Sequence, residues 1–415
     1  MTQCGWTIRD ALQTGGMLSP VRRDALIHCY RDGLLHDVLP FWVRHGWDRK
    51  HGGMLTGLDR DGTLIDDDKA VWFQGRAGWM FATACLQGEV RDEWREVALS
   101  CVEFLRRHAR GPEGKMYFTL TREGRPLRMR RYVFSESFAA IAFAACAKLT
   151  GDLTYADDAW RAWEVYLHHS FTPGVMPPKT ELETRPAKGL APLMIALVTA
   201  QELRALLGER SVTGATCTQW IDRAITEIEC DFLKPDLQAL LEVVAPDGSL
   251  IDHFEGRQLN PGHAIEAAWF ILHEAKLRGG DARLVKLGCT ILNWMWARGW
   301  DREFGGLLYN TDVQGRPVQE YWHHMKFWWP HNEAVIATLL AWTLTRDPKY
   351  LDWHGQVHDW AHAHFADPEH GEWFGYLDRA GRPTSHLKGG TYKGPFHLPR
   401  MQLYSWKLLE GDAGA

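Results

Sequence analysis

Five copies of one phrase run through the chain: LDRDGTLI (58–65), LTREGRPL (120–127), VAPDGSLI (244–251), TDVQGRPV (311–318) and LDRAGRPT (377–384). Each has a short arm, a polar turn ending in glycine and a second arm, the pattern of a β-hairpin. The turn glycines Gly62, Gly124, Gly248, Gly315 and Gly381 are spaced 62, 124, 67 and 66 residues apart. The double interval marks a copy near position 186 that has lost its hairpin, so six units are expected. The first, fifth and sixth copies share an opening signal: WDRKHGG (47–53), WDREFGG (300–306) and DPEHGEW (367–373).

Between the turns, VWFQGRAGWMFATACL (71–86), SESFAAIAFAACAKL (135–149), HAIEAAWFILHEAKL (263–277) and NEAVIATLLAWTL (332–344) carry apolar residues at three- and four-residue intervals. That period is helical, and each unit has room for two helices. A helix pair cannot bury its apolar face alone, so six pairs stack on one another. The expected fold is all-α, an (α/α)6 barrel or toroid with short β-hairpins on one rim. An open solenoid is the alternative, but neither chain end reads as a polar cap. The expected organisation is one catalytic domain over 1–415, with a short N-terminal extension at about 1–20.

Composition narrows the function classes. Apolar residues make up 45% and charged residues 24%, the range of an ordinary globular protein. The net charge of −5 comes from mixed signs without a basic stripe, so no nucleic-acid partner is expected. No basic segment followed by an apolar run opens the chain, and no stretch is long and apolar enough to span a membrane. A cytoplasmic location is expected. The eight cysteines form no C-x-x-C pair, which argues against a disulfide framework or a structural metal site. The 21 tryptophans fit a packed core and also fit a carbohydrate site, where sugar C–H faces stack on indole.

A polar residue follows each turn glycine at a similar distance: Arg76 after 14 residues, Glu136 after 12, His263 after 15, and His331 and His397 after 16. In a closed ring, equivalent positions point at one axis, so these five are expected to share a cavity. In GRQLNPGHAIEAAWF, Asn260 is the expected N-cap, Pro261 opens the helix, and Glu266 lies one turn beyond His263. The helix N-terminus favours the neutral imidazole of a general base; a packed or surface His/Glu pair is the alternative. In MKFWWPHNEAV, Trp328 and Trp329 beside Lys326, His331 and Glu333 suit a sugar platform, or one tryptophan only packs. In LKGGTYKGPFHLPR, the glycines could position Lys393, His397 and Arg400, or the segment is a flexible loop. In DDDKAVWFQGRAGWM, Lys69, Trp72, Gln74 and Arg76 lie at a helix start. Arg76 either faces a developing oxyanion or pairs with Glu136.

KAVWFQGRAGWM, RYVFSESF, GRQLNPGHAIEAAWF, MKFWWPHNEA and DPEHGEWFGYLDRAGRPTSHLKGGTYKGPFHLPR together resemble the N-acylglucosamine 2-epimerase (renin-binding protein) family. The resemblance implies an (α/α)6 barrel, a homodimer, and catalytic histidines at His263 and His397 with Arg76 and Glu266 in the same pocket. Relatives acting on cellobiose or mannose carry a further histidine in the third unit, where this chain reads AKGLAPLMIALV (187–198). That difference favours N-acetylglucosamine and N-acetylmannosamine over unmodified sugars. The resemblance also implies activation by ATP that is not consumed, with no cofactor for the chemistry.

Inversion at C2 of an open-chain aldose needs two groups on opposite faces that titrate near neutrality, one abstracting a proton and the other delivering one, and two histidines fit. Arg76 is expected to stabilise charge on O1 and Glu266 to orient His263. The competing readings are an epimerase or aldose–ketose isomerase for an unmodified sugar, and an inverting glycosidase using Glu136, Glu266, Glu333 or Glu372. A metal site from His263, Glu266, His331 and His397 lacks compact ligand spacing, so no metal is expected.

Overall fold

The computed structural model describes residues 18–412 except Glu113. The extension expected at about 1–20 lies, up to residue 17, outside the described residues. Side chains cap the N-termini of several outer helices. Ser19 accepts from Arg22 N ahead of α1 (Pro20–Asp32), which runs through a π-helical stretch, Gly33–Val38, into α2 (Leu39–His45). The inner helix α3 (Val71–Thr83) is followed by outer α4 (Asp92–Phe104), and inner α5 (Phe134–Thr150) by outer α6 (Leu153–Phe171), capped by Asp152. Inner α7 (Ala191–Leu207) precedes outer α8 (Cys217–Glu227), which opens with a Thr216/Gln219 capping box.

After a single turn, α9 (Phe254–Arg257), come inner α10 (Pro261–Leu277) and outer α11 (Ala282–Gly299), then inner α12 (Trp328–Thr345) and outer α13 (Pro348–Phe365). The last helix, α14 (His397–Asp412), is inner and packs on α1. The inner helices are apolar nearly all round because both their flanks are covered: α12 is buried continuously from Trp328 to Trp342.

The rim differs from a row of hairpins. Only the first two turns have both arms paired as strands, Gly57–Leu58 with Leu64–Asp66 and Thr119–Leu120 with Pro126–Arg128. Apart from a local hairpin, Leu233–Lys234 with Ala239–Leu240, the remaining pairing joins neighbouring units: the strand leading into an inner helix pairs antiparallel with the strand after the next outer helix. Lys69–Ala70 takes Thr119–Leu120, Lys188–Gly189 takes Val243–Val244, Gln258–Leu259 takes Thr311–Asp312, and Lys326–Phe327 takes Tyr376–Leu377. The turns themselves keep their geometry. In all five the glycine N–H bonds the carbonyl three residues back at 2.9–3.1 Å, with glycine φ between 73° and 94°.

The same stitch closes the ring. Ahead of α14, Lys388 N donates to Leu58 O at 3.0 Å and Gly389 O accepts from Leu58 N at 3.3 Å, joining the last unit to the first. Inside the seam, Trp79 of α3 meets Phe396 with ring centroids 5.4 Å apart. An open solenoid would leave these groups unpaired.

Three buried charge clusters fasten the stitches, and they account for the shared opening signals. Asp48 binds Lys69 Nζ at 2.9 Å and both arms of Arg122 at 2.9 and 3.1 Å. Asp301 binds Lys326 at 3.0 Å and Arg379 at 2.8 and 3.2 Å. Asp367 binds Lys388 at 3.0 Å and Arg60 at 2.7 and 2.9 Å. Burial alone would raise these carboxyls, but the paired cations hold all three well below the usual carboxylate range. Removing the aspartate strands its lysine without solvent. Asp301→Ala is expected to destabilise the protein by about 3–5 kcal/mol, read by chemical denaturation, because it leaves the buried Lys326 without its carboxylate; a loss under about 1 kcal/mol would refute the structural role.

Candidate active site

The inner helices begin at the stitched rim, and their first turns open on an axial cavity of about 680 Å³. Arg76, His263, Glu266, Trp329, His397 and Arg400 line it, beneath a collar of tyrosines 309, 376 and 392.

His263 sits in the first turn of α10, where Asn260 Oδ1 accepts its backbone N–H at 3.0 Å. Its Nδ1 bonds Glu242 Oε2 at 3.0 Å, which leaves Nε2 for the cavity. Burial, the largest influence, pulls this imidazole down. The charge and hydrogen bond of Glu242, with the charges of Glu266 and Glu333, together outweigh it and leave the group above its ordinary value. The three carboxylates therefore bias His263 toward the proton, opposite to the bias expected from the helix N-terminus.

His397 opens α14 and bonds Glu333 Oε1 through Nδ1 at 2.7 Å. The Glu333 carboxylate is already engaged: Arg400 Nη2 donates to Oε1 at 2.7 Å and Trp269 Nε1 to Oε2 at 2.7 Å. Burial and the guanidinium charges of Arg76 and Arg400 press His397 well below the usual histidine range. Both imidazoles lie against one indole, Trp329, whose ring is 4.9 Å from His263 and 5.8 Å from His397. One histidine is thus biased toward the proton and the other against it, across a gap set by a single side chain.

Arg76 stands over Phe138, Phe396 and Trp72 at 4.2, 4.9 and 5.0 Å. Among the described residues no carboxylate lies within ion-pair distance of it, Glu136 included, and burial lowers it to about 9. Its Nη1 reaches Tyr392 O at 3.5 Å, and the Nε is buried without a partner. It is a cationic donor presented to the cavity. Glu266 also faces the cavity but does not orient His263: it accepts from Arg400 Nη2 at 2.9 Å, and Glu242 takes the orienting place. Glu266, Glu333 and His397 bring ligand atoms within 4.8 Å of one another, but Arg400 bonds both carboxylates there.

Several residues expected in the cavity are turned away from it. Gln74, Glu136 and His331 each accept a backbone N–H from the bridge that follows the preceding outer helix: Met54 at 2.6 Å, Met116 at 2.6 Å and Leu307 at 2.8 Å. The reason is helical phase. Trp72 and Arg76, Phe134 and Phe138, and Trp329 and Glu333 are four residues apart on the axial face, and the residue midway lies about 200° from the first. Similar distances from the turn glycine thus concealed a reversal of face. Burial lowers His331 to about 3 and raises Glu136 to about 7.

Lys69 and Lys326 belong to the buried stitch clusters. Lys393 anchors its loop through Glu372 Oε1 at 2.9 Å and Lys388 O at 3.0 Å. Gly389 and Gly394 serve close packing against Leu58 and Phe73 rather than the cavity. Trp72 and Trp328 do line the cavity, Trp72 with Nε1 bonded to Thr391 O at 2.8 Å.

Glu242 was missed in the sequence because nothing local marks it: it meets His263 only through the fold. Trp329, expected with Trp328 beside the sugar, lines the cavity, four residues before Glu333 on one helix. The collar tyrosines come from segments between helices and carry no pattern of their own.

The family model described as N-acylglucosamine 2-epimerase matches residues 52–397. The chain is 38% identical to the N-acylglucosamine 2-epimerase of Bos taurus over 373 residues, 88% of this chain and 87% of that one. It is 37% identical to the Homo sapiens protein of the same name, over 88% and 86% of the two chains. Among solved structures, the cellobiose 2-epimerase from Bacillus thermoamylovorans superposes with a TM-score of 0.80 at 19% identity, covering 92% of this chain and 99% of that one, a likeness of fold.

Glu242 sets the proton affinity of His263. Because its charge raises the folded value, His263 keeps its proton to higher pH than a free imidazole. Glu242→Gln should move the midpoint of the His263 ring resonance, followed by NMR titration, to lower pH; an unchanged midpoint would remove Glu242 from this role.

Proposed function

This chain belongs to the N-acylglucosamine 2-epimerase family, and we propose that it interconverts N-acetylglucosamine and N-acetylmannosamine, one of His263 and His397 removing the C2 proton and the other delivering one to the opposite face. It is a carbohydrate epimerase, an isomerase by class. The observation that carries the two-histidine reading is the opposed environment of the pair: carboxylates surround His263 and guanidinium groups press on His397. Groups pushed apart in this way supply an acid and a base at the same pH.

In the open-chain sugar the C1 aldehyde acidifies the C2 proton. The neutral His397 Nε2 abstracts it from one face, giving a planar enolate. Arg76, without a carboxylate partner, bonds the oxygen where charge collects. The protonated His263 returns a proton from the opposite face. In the reverse direction the histidines exchange roles, with Glu242 and Glu333 holding each ring through its Nδ1. Arg400, tied to Glu266 and Glu333, keeps that carboxylate from claiming the His397 proton.

The acetamido group leaves no C2 hydroxyl from which a ketose could form, so epimerisation is the chemical exit. Helix α7 gives the cavity Met194, Ile195 and Val198, an apolar wall that suits an N-acyl methyl group. Our reading takes the whole chain as one catalytic domain, active as a cytoplasmic homodimer without a cofactor. ATP as an unconsumed activator rests on the family resemblance alone.

In heavy water, turnover of N-acetylmannosamine should place deuterium at C2 of the product, seen by proton NMR. His263→Ala and His397→Ala should each lower kcat by about 10²–10⁴-fold with far-UV dichroism unchanged. Near-normal rates in both would end the two-histidine reading. Arg76→Met should lower kcat more than it raises KM, because its donor matters most when O1 carries charge; a pure KM effect would make Arg76 a binding group only.

A further inference from the structure

Outside the cavity, the seam between the first and last units holds a second cluster of chemically capable side chains. His354, His358 and His362 are spaced four residues apart along α13 and face Cys29 and Tyr30 of α1. Cys29, His358 and His362 bring one sulfur and two nitrogen ligand atoms within 4.8 Å of one another. His358 is nearly fully buried, while Cys29 and His362 are half-buried and give access from the surface.

The hydrogen bonds place the ring protons. His354 Nδ1 faces Val335 O at 3.2 Å and must donate, so its Nε2 accepts from Tyr30 Oη at 3.1 Å. The Tyr30 oxygen then accepts from His358 Nδ1 at 2.8 Å, which leaves His358 Nε2 with its lone pair. His362 Nδ1 donates to His358 O at 2.8 Å, and its Nε2 lone pair faces Cys29 Sγ at 3.7 Å. Two imidazoles whose other ring N–H is already fixed by an oxygen acceptor are in the state that metal-ligating histidines adopt. Metal–ligand bonds of 2.3 Å to sulfur and 2.0–2.1 Å to nitrogen at a tetrahedral angle put S and N about 3.6 Å apart, so the Cys29–His362 spacing matches one edge of such a centre. The nearby Arg22 faces Asp359 at 3.8 Å.

We propose that Cys29, His358 and His362 bind a borderline transition-metal dication of the Zn2+ class, with solvent as the fourth ligand. On binding, the Cys29 thiol loses its proton to solvent and the thiolate and two Nε2 lone pairs coordinate the ion. The ion ties α1 to α13, pinning the first unit of the ring to the last. It takes no part in the chemistry of the cavity.

The test uses the full-length untagged protein stripped with chelator and titrated with Co2+ alone. A thiolate-to-cobalt charge-transfer band in the near ultraviolet should grow to one equivalent per chain and vanish on adding Zn2+. Zn2+ should raise Tm by about 2 °C or more. Cys29→Ser and His362→Gln should each abolish the band and weaken Co2+ binding at least about 100-fold, with epimerase activity unchanged. Cys230→Ser, on the surface, should leave the band intact. A Co2+ spectrum without the thiolate band, a band that survives Cys29→Ser, or no saturation at one equivalent would overturn the site.

Discussion

A buried aspartate bound at once to a lysine and an arginine is the interaction on which the ring depends. Each such cluster joins three segments that are distant in sequence: the approach after an outer helix, the strand entering the next inner helix, and the turn that begins the following unit. Asp48, Asp301 and Asp367 occupy this position, and their lysines are almost without solvent. An ion group of this kind gives little net stability compared with apolar packing, but any unit displaced from register leaves charges unpaired in the interior. That penalty, with the antiparallel stitches, makes closure after six units specific.

The site inherits its precision from the same rim. Because the stitches set where each inner helix starts, they also set which residues of its first turns face the axis. Arg76, His263 and Trp329 sit within a turn or two of a fixed strand, while Gln74, Glu136 and His331, on the opposite helical face, hold the approach segments in place. Cavity and rim are two faces of the same helical turns. A shift of two residues at a stitch would rotate an axial group by about 200° and exchange a cavity-facing position for a rim-facing one.

Within the cavity, charge is distributed unevenly across a short distance. Carboxylates gather behind His263 and guanidinium groups around His397, whose Nδ1 shares Glu333 with Arg400 and Trp269. Burial alone would lower both imidazoles alike. The difference between them comes from Glu242 on one side and from Arg76 and Arg400 on the other, and it biases the two rings in opposite directions.

The sequence by itself determined the six-unit repeat, the helical periods, the turn glycines, the Asn260 cap and the pairing of an aromatic with an acid four residues on. Each is a local property, set by backbone geometry and side-chain spacing over a few residues. It also carried the opening signals, although their meaning as charge clusters needed the partners Lys69, Lys326 and Lys388 from later segments. Only the tertiary structure decided which of two residues half a turn apart faces the axis, because that depends on where the stitch fixes the helix. It alone brought Glu242 to His263, and set Cys29 beside His362 from 333 residues away, since such contacts arise from ring closure and leave no periodic trace in the chain.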